Sequence, residues 1–261
     1  MMGLLKWMFG LGLLAVLGVG VGLGFAVWGT SQGVTYTVPD IVPLSANAAQ
    51  VSPGAQLPTP ITLPAAVKLP VPFTPQAPLN DWAAKQHTCE EANLVQVDRY
   101  LRGDHSGALI DPRTADAAIN QITKWKPTLD LTPDMVGKLA KQYMGWAYQV
   151  LPADRVNIKT QLALGRPVIV GVRTHGLGNP NYPGYRTHYE QPGYSVAHYV
   201  TVVGYQNSDM LILNDPGLTR GHGVLIKYDQ LIYAINDLDR AYPELNAGLV
   251  FLVLAPPAAT S

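Results

Sequence analysis

The chain has 261 residues, enough for one domain of ordinary size with added segments. Its 18 lysines and arginines balance 18 aspartates and glutamates, so no basic excess exists to hold a phosphate backbone, and nucleic acid is not an expected partner. A single cysteine, Cys89, excludes an internal disulfide and a thiolate cluster for structural zinc.

The first predicted element is a membrane span. Trp7 to Trp28 carries no charged residue, and a helix rising about 1.5 Å per residue over that length crosses a hydrocarbon core of roughly 30 Å. The segment 1–29 is therefore read as a single transmembrane helix, an anchor longer than the apolar stretch of a usual signal peptide. Lys6 precedes it and no lysine or arginine follows until Lys68, which leaves the N-terminus in the cytoplasm and the bulk of the chain on the extracytoplasmic side. Cleavage near Ala46 to Ala49 would make the protein secreted instead.

From 30 to 67 the sequence is a proline-rich spacer, with Pro39, Pro43, Pro53, Pro58, Pro60 and Pro64 and Asp40 as its only charge. Proline fixes φ and removes a backbone donor, so such a stretch stays extended. Globular patterning runs from 68 to 256, with 257–261 as a tail. The run "TCEEANLVQVDRYLRG" places Leu94, Val97 and Leu101 at helical spacing and ends on Gly103. Thr88 stands three residues before Glu91, the spacing of a capping box. Further helices are predicted over Ala115–Trp125, over Thr132–Tyr143 with Pro133 in its first turn, and over "VNIKTQLALGRP" up to Gly165. Strands follow in the β-branched runs "PVIVGV", "HYVTVVGY", "MLILN", "GVLIKY" and "LVFLVL". Helices first and strands second is an α+β order, with an antiparallel sheet expected.

With Thr88 as N-cap, Cys89 sits in the first turn of its helix, where unpaired N–H groups and the helix dipole favour a thiolate. Glu90 and Glu91 act against this by like-charge repulsion, so a nucleophilic role calls for a cationic partner such as an imidazolium. The other reading of Cys89 is a small apolar side chain packed inside, and the local pattern allows both.

Of the six histidines, His87, His105, His175, His188 and His222 lie in polar or Gly/Pro-rich surroundings that read as loops. His198 begins an apolar strand, a rigid platform for a base. The next strand ends in "LILNDPG"; in a hairpin its end returns to the start of the His198 strand, where Asp215, or Asn214 on the other face, can bind one imidazole nitrogen. The same four residues also form an ordinary turn. Between Val172 and His198, a Gly/Pro/Tyr-rich stretch offers Tyr182, Tyr185, Tyr189 and Tyr194 to a substrate cleft, or else makes a surface excursion. No His-Glu-x-x-His helix or similar spacing is present, and no metal or other cofactor is expected.

The segment from Val71 to Leu101, followed in order by "GRPVIVGV", "AHYVTVVGY" and "LILNDPG", resembles the papain-fold cysteine peptidases related to bacteriocin leader peptidases, cysteine peptidase family thirty-nine and its stand-alone relatives. The resemblance implies a papain-like fold with N-terminal helices packed on the sheet. It also implies Cys89 as nucleophile, His198 as general base, Asp215 as the orienting acid and Gln76 as an oxyanion donor. The chain departs from the leader peptidases in carrying Glu90 where glycine often follows the cysteine, and it has no Gly-rich loop ending in Lys-Ser or Lys-Thr for ATP. The expectation is a membrane-tethered thiol hydrolase acting on a peptide or protein substrate. Deamidation, transamidation and cell-wall peptide hydrolysis use the same residues, and a non-catalytic peptide- or protein-binding module of the same fold is the alternative from another class.

Overall fold

A computed structural model describes residues 63–177, 196–207, 209–245 and 248–257. The expected membrane helix and most of the spacer lie outside these residues. Among the described residues no helix is long and apolar enough to cross a membrane.

The chain runs β1 (Ala66–Lys68), α1 (Cys89–Leu101), α2 (Pro112–Thr123), α3 (Pro133–Leu139), β2 (Ala147–Pro152), α4 (Arg155–Ala163), β3 (Val168–Arg173), a single turn α5 (Thr174–Leu177), β4 (Ala197–Gln206), β5 (Met210–Asn214), β6 (His222–Lys227), α6 (Tyr228–Ala241) and β7 (Val250–Ala255). The strands form one sheet in the order β2-β7-β3-β4-β5-β6, with β1 added to β4, and every pairing between them is antiparallel. The α+β expectation therefore matches, and all five expected strands are present.

Local chemistry explains where the boundaries differ. α2 starts at Pro112 rather than Ala115 because the Asp111 side chain accepts from Thr114 N at 2.9 Å and proline, which needs no donor, fills the first helical position. The stretch expected as one helix from Thr132 to Tyr143 is α-helical only to Leu139. It widens into a π-helical turn over Ala140–Met144 and stops at Gly145, whose φ of 81° ends the helix in a left-handed cap. Ala66 and Val67, at the end of the stretch read as spacer, pair with Gln206 and Tyr205 of β4.

Side chains alternate across the sheet and so feed two cores. On one face, Ile169, Tyr199, Leu252 and Leu254 pack with Leu94 and Val97 of α1, Ile119 of α2 and Val136 of α3. On the other, Val168, Val170, Val172, Val200 and Val202 pack with Ile158 and Leu162 of α4 and with Leu231, Ala234 and Ile235 of α6. Each such aliphatic side chain removed from water contributes about 1.5–3 kcal/mol, which fixes β3 and β4 as the central layer of three. β4 is long enough to be shared: Ala197 to Val202 pairs with β3, and Gly204 to Gln206 pairs with β1. Gly204 is where that second partner comes closest, because a Cβ there would overlap the Val67 carbonyl oxygen.

Candidate active site

Three segments converge at the start of β4: the N-terminal turn of α1, the loop that precedes it, and the β5–β6 connection. Asn93 joins the first of these to the strand. It lies one turn after Cys89 and is fully buried, and its Nδ2 donates to Cys89 O at 2.8 Å and to Tyr199 O at 2.9 Å. The Thr201 hydroxyl donates to its Oδ1. One amide thus holds the carbonyl of Cys89 and the carbonyl of the residue after His198 within two hydrogen-bond lengths of each other. A buried carboxamide with its donors and acceptor filled is a rigid link, since leaving any partner unpaired carries a desolvation penalty.

His198 opens the strand, 4 % exposed, and its Nε2 lies 2.7 Å from Oδ1 of the fully buried Asp215. With a carboxylate as partner, Nε2 carries the hydrogen and donates it, so in the neutral imidazole Nδ1 keeps its lone pair. The same Oδ1 accepts from Gly217 N at 2.7 Å, which fixes the carboxylate from its own turn. Glycine leaves the ring its room there: a Cβ at 217 would stand 3.0 Å from both Cε1 and Nε2 of His198 and crowd the imidazole. Asn214, the alternative partner, faces away and accepts from Gly223 N at 3.2 Å. The antiparallel β4–β5 pairing sets Thr201 opposite Asn214 and lets the turn after it curl back to His198.

Gln76 ties the loops together. Its backbone N–H donates to Pro216 O at 2.9 Å, next to Asp215, and its carbonyl accepts from the Thr88 hydroxyl at 3.1 Å, next to Cys89. The side-chain Nε2 donates to Lys85 O at 2.7 Å and to Gln86 O at 3.4 Å, while Oε1 is buried without a protein partner. Thr88 occupies the N-cap position, but its hydroxyl goes to Gln76 O and to Lys85 O at 3.0 Å and makes no capping bond. The expected capping box is therefore not formed. Glu91 accepts instead from Thr123 Oγ1 at 3.2 Å and pairs with Lys126 at 3.3 Å. The consequence is that Thr88 covers none of the first-turn N–H groups of α1, and of these the Glu91 N–H is taken by the Glu91 carboxylate itself.

Cys89 is 6 % exposed, and its Sγ donates to Glu90 Oε2 at 3.1 Å; no hydrogen bond joins it to His198. Burial, and next the Glu90 carboxylate, push the thiol well above its ordinary pKa, while Lys126 works in the opposite sense. The sulfur borders a small cavity lined also by Asp130, Leu131, Ala197, Tyr199 and Leu238. Tyr199 is nearly covered and donates to Leu131 O at 2.8 Å, and burial raises its phenol too. Tyr182, Tyr185, Tyr189 and Tyr194 lie outside the described residues, as does His188. No group of metal-binding side chains occurs among the described residues.

Asn93, Gly217 and Lys126 also belong to this site, though the motifs that mark Cys89, His198 and Asp215 give them no role. Asn93 and Gln96 continue from Cys89 at helical spacing, a polar stripe on the otherwise apolar face of α1, and both are buried. That stripe is the mark that could have identified Asn93.

The family described as Peptidase_C39 like matches the chain over residues 68–247. No curated protein matches it. Among solved structures, a protein described as a C39-like peptidase from Bacillus anthracis is 15 % identical, covers 73 % of this chain and 97 % of its own, and has a TM-score of 0.46. Xylellain, a cysteine protease from Xylella fastidiosa, is 16 % identical, covers 86 % of this chain and 96 % of its own, and has a TM-score of 0.33.

Proposed function

Because this chain belongs to the Peptidase_C39 like family, we propose that it is a cysteine peptidase that cleaves peptide bonds with Cys89 as nucleophile, His198 as base and Asp215 as the group that orients the base. The observation that carries this reading is the buried pair of His198 Nε2 and Asp215 Oδ1, 2.7 Å apart, at the strand start that Asn93 fastens to the Cys89 turn. A carboxylate on Nε2 leaves Nδ1 as the proton acceptor.

In this mechanism the sulfur exchanges Glu90 for His198 Nδ1 as its hydrogen-bond acceptor, and the proton passes to the imidazole. The thiolate attacks the peptide carbonyl carbon. The negative charge that develops on the carbonyl oxygen is met by the Cys89 N–H at the start of α1, with Gln76 turning its amide from the Lys85 carbonyl to assist. His198 then protonates the departing amine, and a water molecule deprotonated by His198 releases the acyl group. The folded domain acts on the extracytoplasmic side, tethered by the Trp7–Trp28 span through the proline-rich spacer.

The test is cleavage of a peptide library by the purified protein beside its Cys89→Ala variant. Loss of the sulfur removes the covalent step and is expected to lower kcat/KM by about a thousandfold or more. Equal cleavage by the two proteins, or capture of peptides by both with cleavage by neither, rules the peptidase reading out.

A further inference from the structure

Two carboxylates and one ammonium are clustered near the only thiol of the chain, and one of the carboxylates accepts its hydrogen. The side chains of Glu90, Glu91 and Lys126 are 3 %, 1 % and 4 % exposed. Lys126, in the connection after α2, donates to His87 O at 2.6 Å, to Glu90 Oε2 at 3.2 Å and to Glu91 Oε2 at 3.3 Å, which uses all three of its hydrogens. Glu90 takes a further bond from Leu131 N at 3.1 Å on Oε1 and the Cys89 S–H on Oε2. Every polar atom of Glu90 is therefore fixed, and the acceptor it presents to the sulfur is held in place by the lysine.

We propose that Glu90, clamped by Lys126, is a positioning residue that keeps Cys89 as a neutral thiol turned away from His198, so that the strength of this clamp decides when the sulfur is released to the base. The proposal rests on the peptidase reading for its purpose, but its geometry stands apart from it. A buried carboxylate beside the sulfur opposes a second negative charge there, and Lys126 offsets part of that opposition without touching the sulfur. Glu91 shares the lysine but makes no bond to Cys89. The other titratable groups around the thiol are Tyr199, which stays protonated, Asp130, which borders the same cavity and pairs with His87 Nδ1 at 3.3 Å, and His198, whose Nε2 is bound to Asp215.

Two substitutions separate a clamp from a merely structural pair, because the clamp predicts opposite signs. Alkylation of Cys89 by iodoacetamide, followed against pH, reads the thiolate directly and needs no substrate. Glu90→Gln removes the facing charge and is expected to lower the midpoint by about one pH unit, which gives roughly three- to fourfold faster alkylation at neutral pH once the lower nucleophilicity of the more acidic thiol is included. Lys126→Gln leaves both carboxylates uncompensated and is expected to raise the midpoint and slow the reaction. Glu91→Gln gives up the same lysine contact without a bond to the sulfur, and its downward shift is expected to be smaller than that of Glu90→Gln. Shifts of the same sign in Glu90→Gln and Lys126→Gln, or none in either, overturn the proposal. If a variant does not fold, Glu90→Asp decides, since the shorter side chain draws the acceptor back from the sulfur while burial is unchanged: an alkylation midpoint below that of wild type supports the clamp, and an unchanged or higher one overturns it. Failure here leaves the Cys89→Ala cleavage test untouched, and failure of that test leaves the alkylation result readable.

Discussion

At the start of β4, the imidazole of His198 gives its Nε2–H to a carboxylate that a backbone N–H also binds. At the start of α1, the sulfur of Cys89 gives its hydrogen to a carboxylate that a lysine binds. The two halves thus use one kind of acceptor for opposite ends. Asp215 fixes the tautomer in which a base can work, whereas Glu90 favours the form in which a nucleophile cannot. In the proposed mechanism the base is set in advance while the thiol stays at rest, because His198 keeps its carboxylate partner and the sulfur and the Gln76 amide change theirs when substrate arrives.

Removing Asp215 is the harshest way to break the contrast. Asp215→Ala takes the shared acceptor from His198 and Gly217 together, and kcat/KM is expected to fall by roughly a hundredfold or more. Asp215→Asn keeps an oxygen facing Nε2 and gives up only the charge, so its loss is expected to be smaller. Steady-state kinetics on the two variants check this, and a loss below about tenfold for Asp215→Ala would mean that the carboxylate does not orient the ring.

Asn93 is where the two halves are fastened, so its removal sharpens the comparison through stability as well. Asn93→Ala takes this partner from the Tyr199 carbonyl and the Thr201 hydroxyl in a dry interior and leaves the Cys89 carbonyl only its helical bond, and a loss of about 2–3 kcal/mol is expected. Urea unfolding measures it. A change below about 0.5 kcal/mol would mean that the two halves are joined by apolar packing alone.

The smallest expected effect is on alkaline stability. The folded state holds the Cys89 proton to higher pH than the unfolded chain, whose thiol ionises near 9.0. Between that value and the folded pKa the folded state binds more protons, so stability falls as pH rises, by at most about 1.4 kcal/mol per pH unit. The Lys126 ammonium, raised by Glu90 and Glu91 against the effect of its burial, adds a loss of the same sign only above 10.5. Unfolding compared at about pH 8 and about pH 10 is expected to show a steeper decline for wild type than for Cys89→Ala. Parallel declines would show that the thiol keeps an ordinary pKa in the fold.

Much of this was legible in residue order. The helical spacing of Leu94 and Val97, the β-branched runs and the return of "LILNDPG" toward His198 are local or nearest-neighbour signals, and the sheet follows them. α6 carries the same kind of signal in Leu231, Ala234, Ile235 and Leu238, which stand at helical spacing. β2 shows why other elements stay hidden: Ala147–Pro152 has weak alternation and becomes a strand because β7 pairs along its whole length. Thr88 and Glu91 carried a capping signature that tertiary partners overrode, since the hydroxyl found two carbonyls and the carboxylate found Lys126. Lys126 could not be assigned from sequence, because it reaches the thiol across 37 positions through a buried carboxylate rather than through any motif.

The division of β4 between β3 at one end and β1 at the other also has a mechanical side. His198 sits where β4 begins, and Ala66–Lys68, the stretch through which the chain arrives from its N-terminal segment, is zipped to Gly204–Gln206 where β4 finishes. Tension applied at Leu63 would load the Tyr205 hydroxyl's bond to Pro64 O and then that short three-residue ladder before it reached the loop ahead of Cys89.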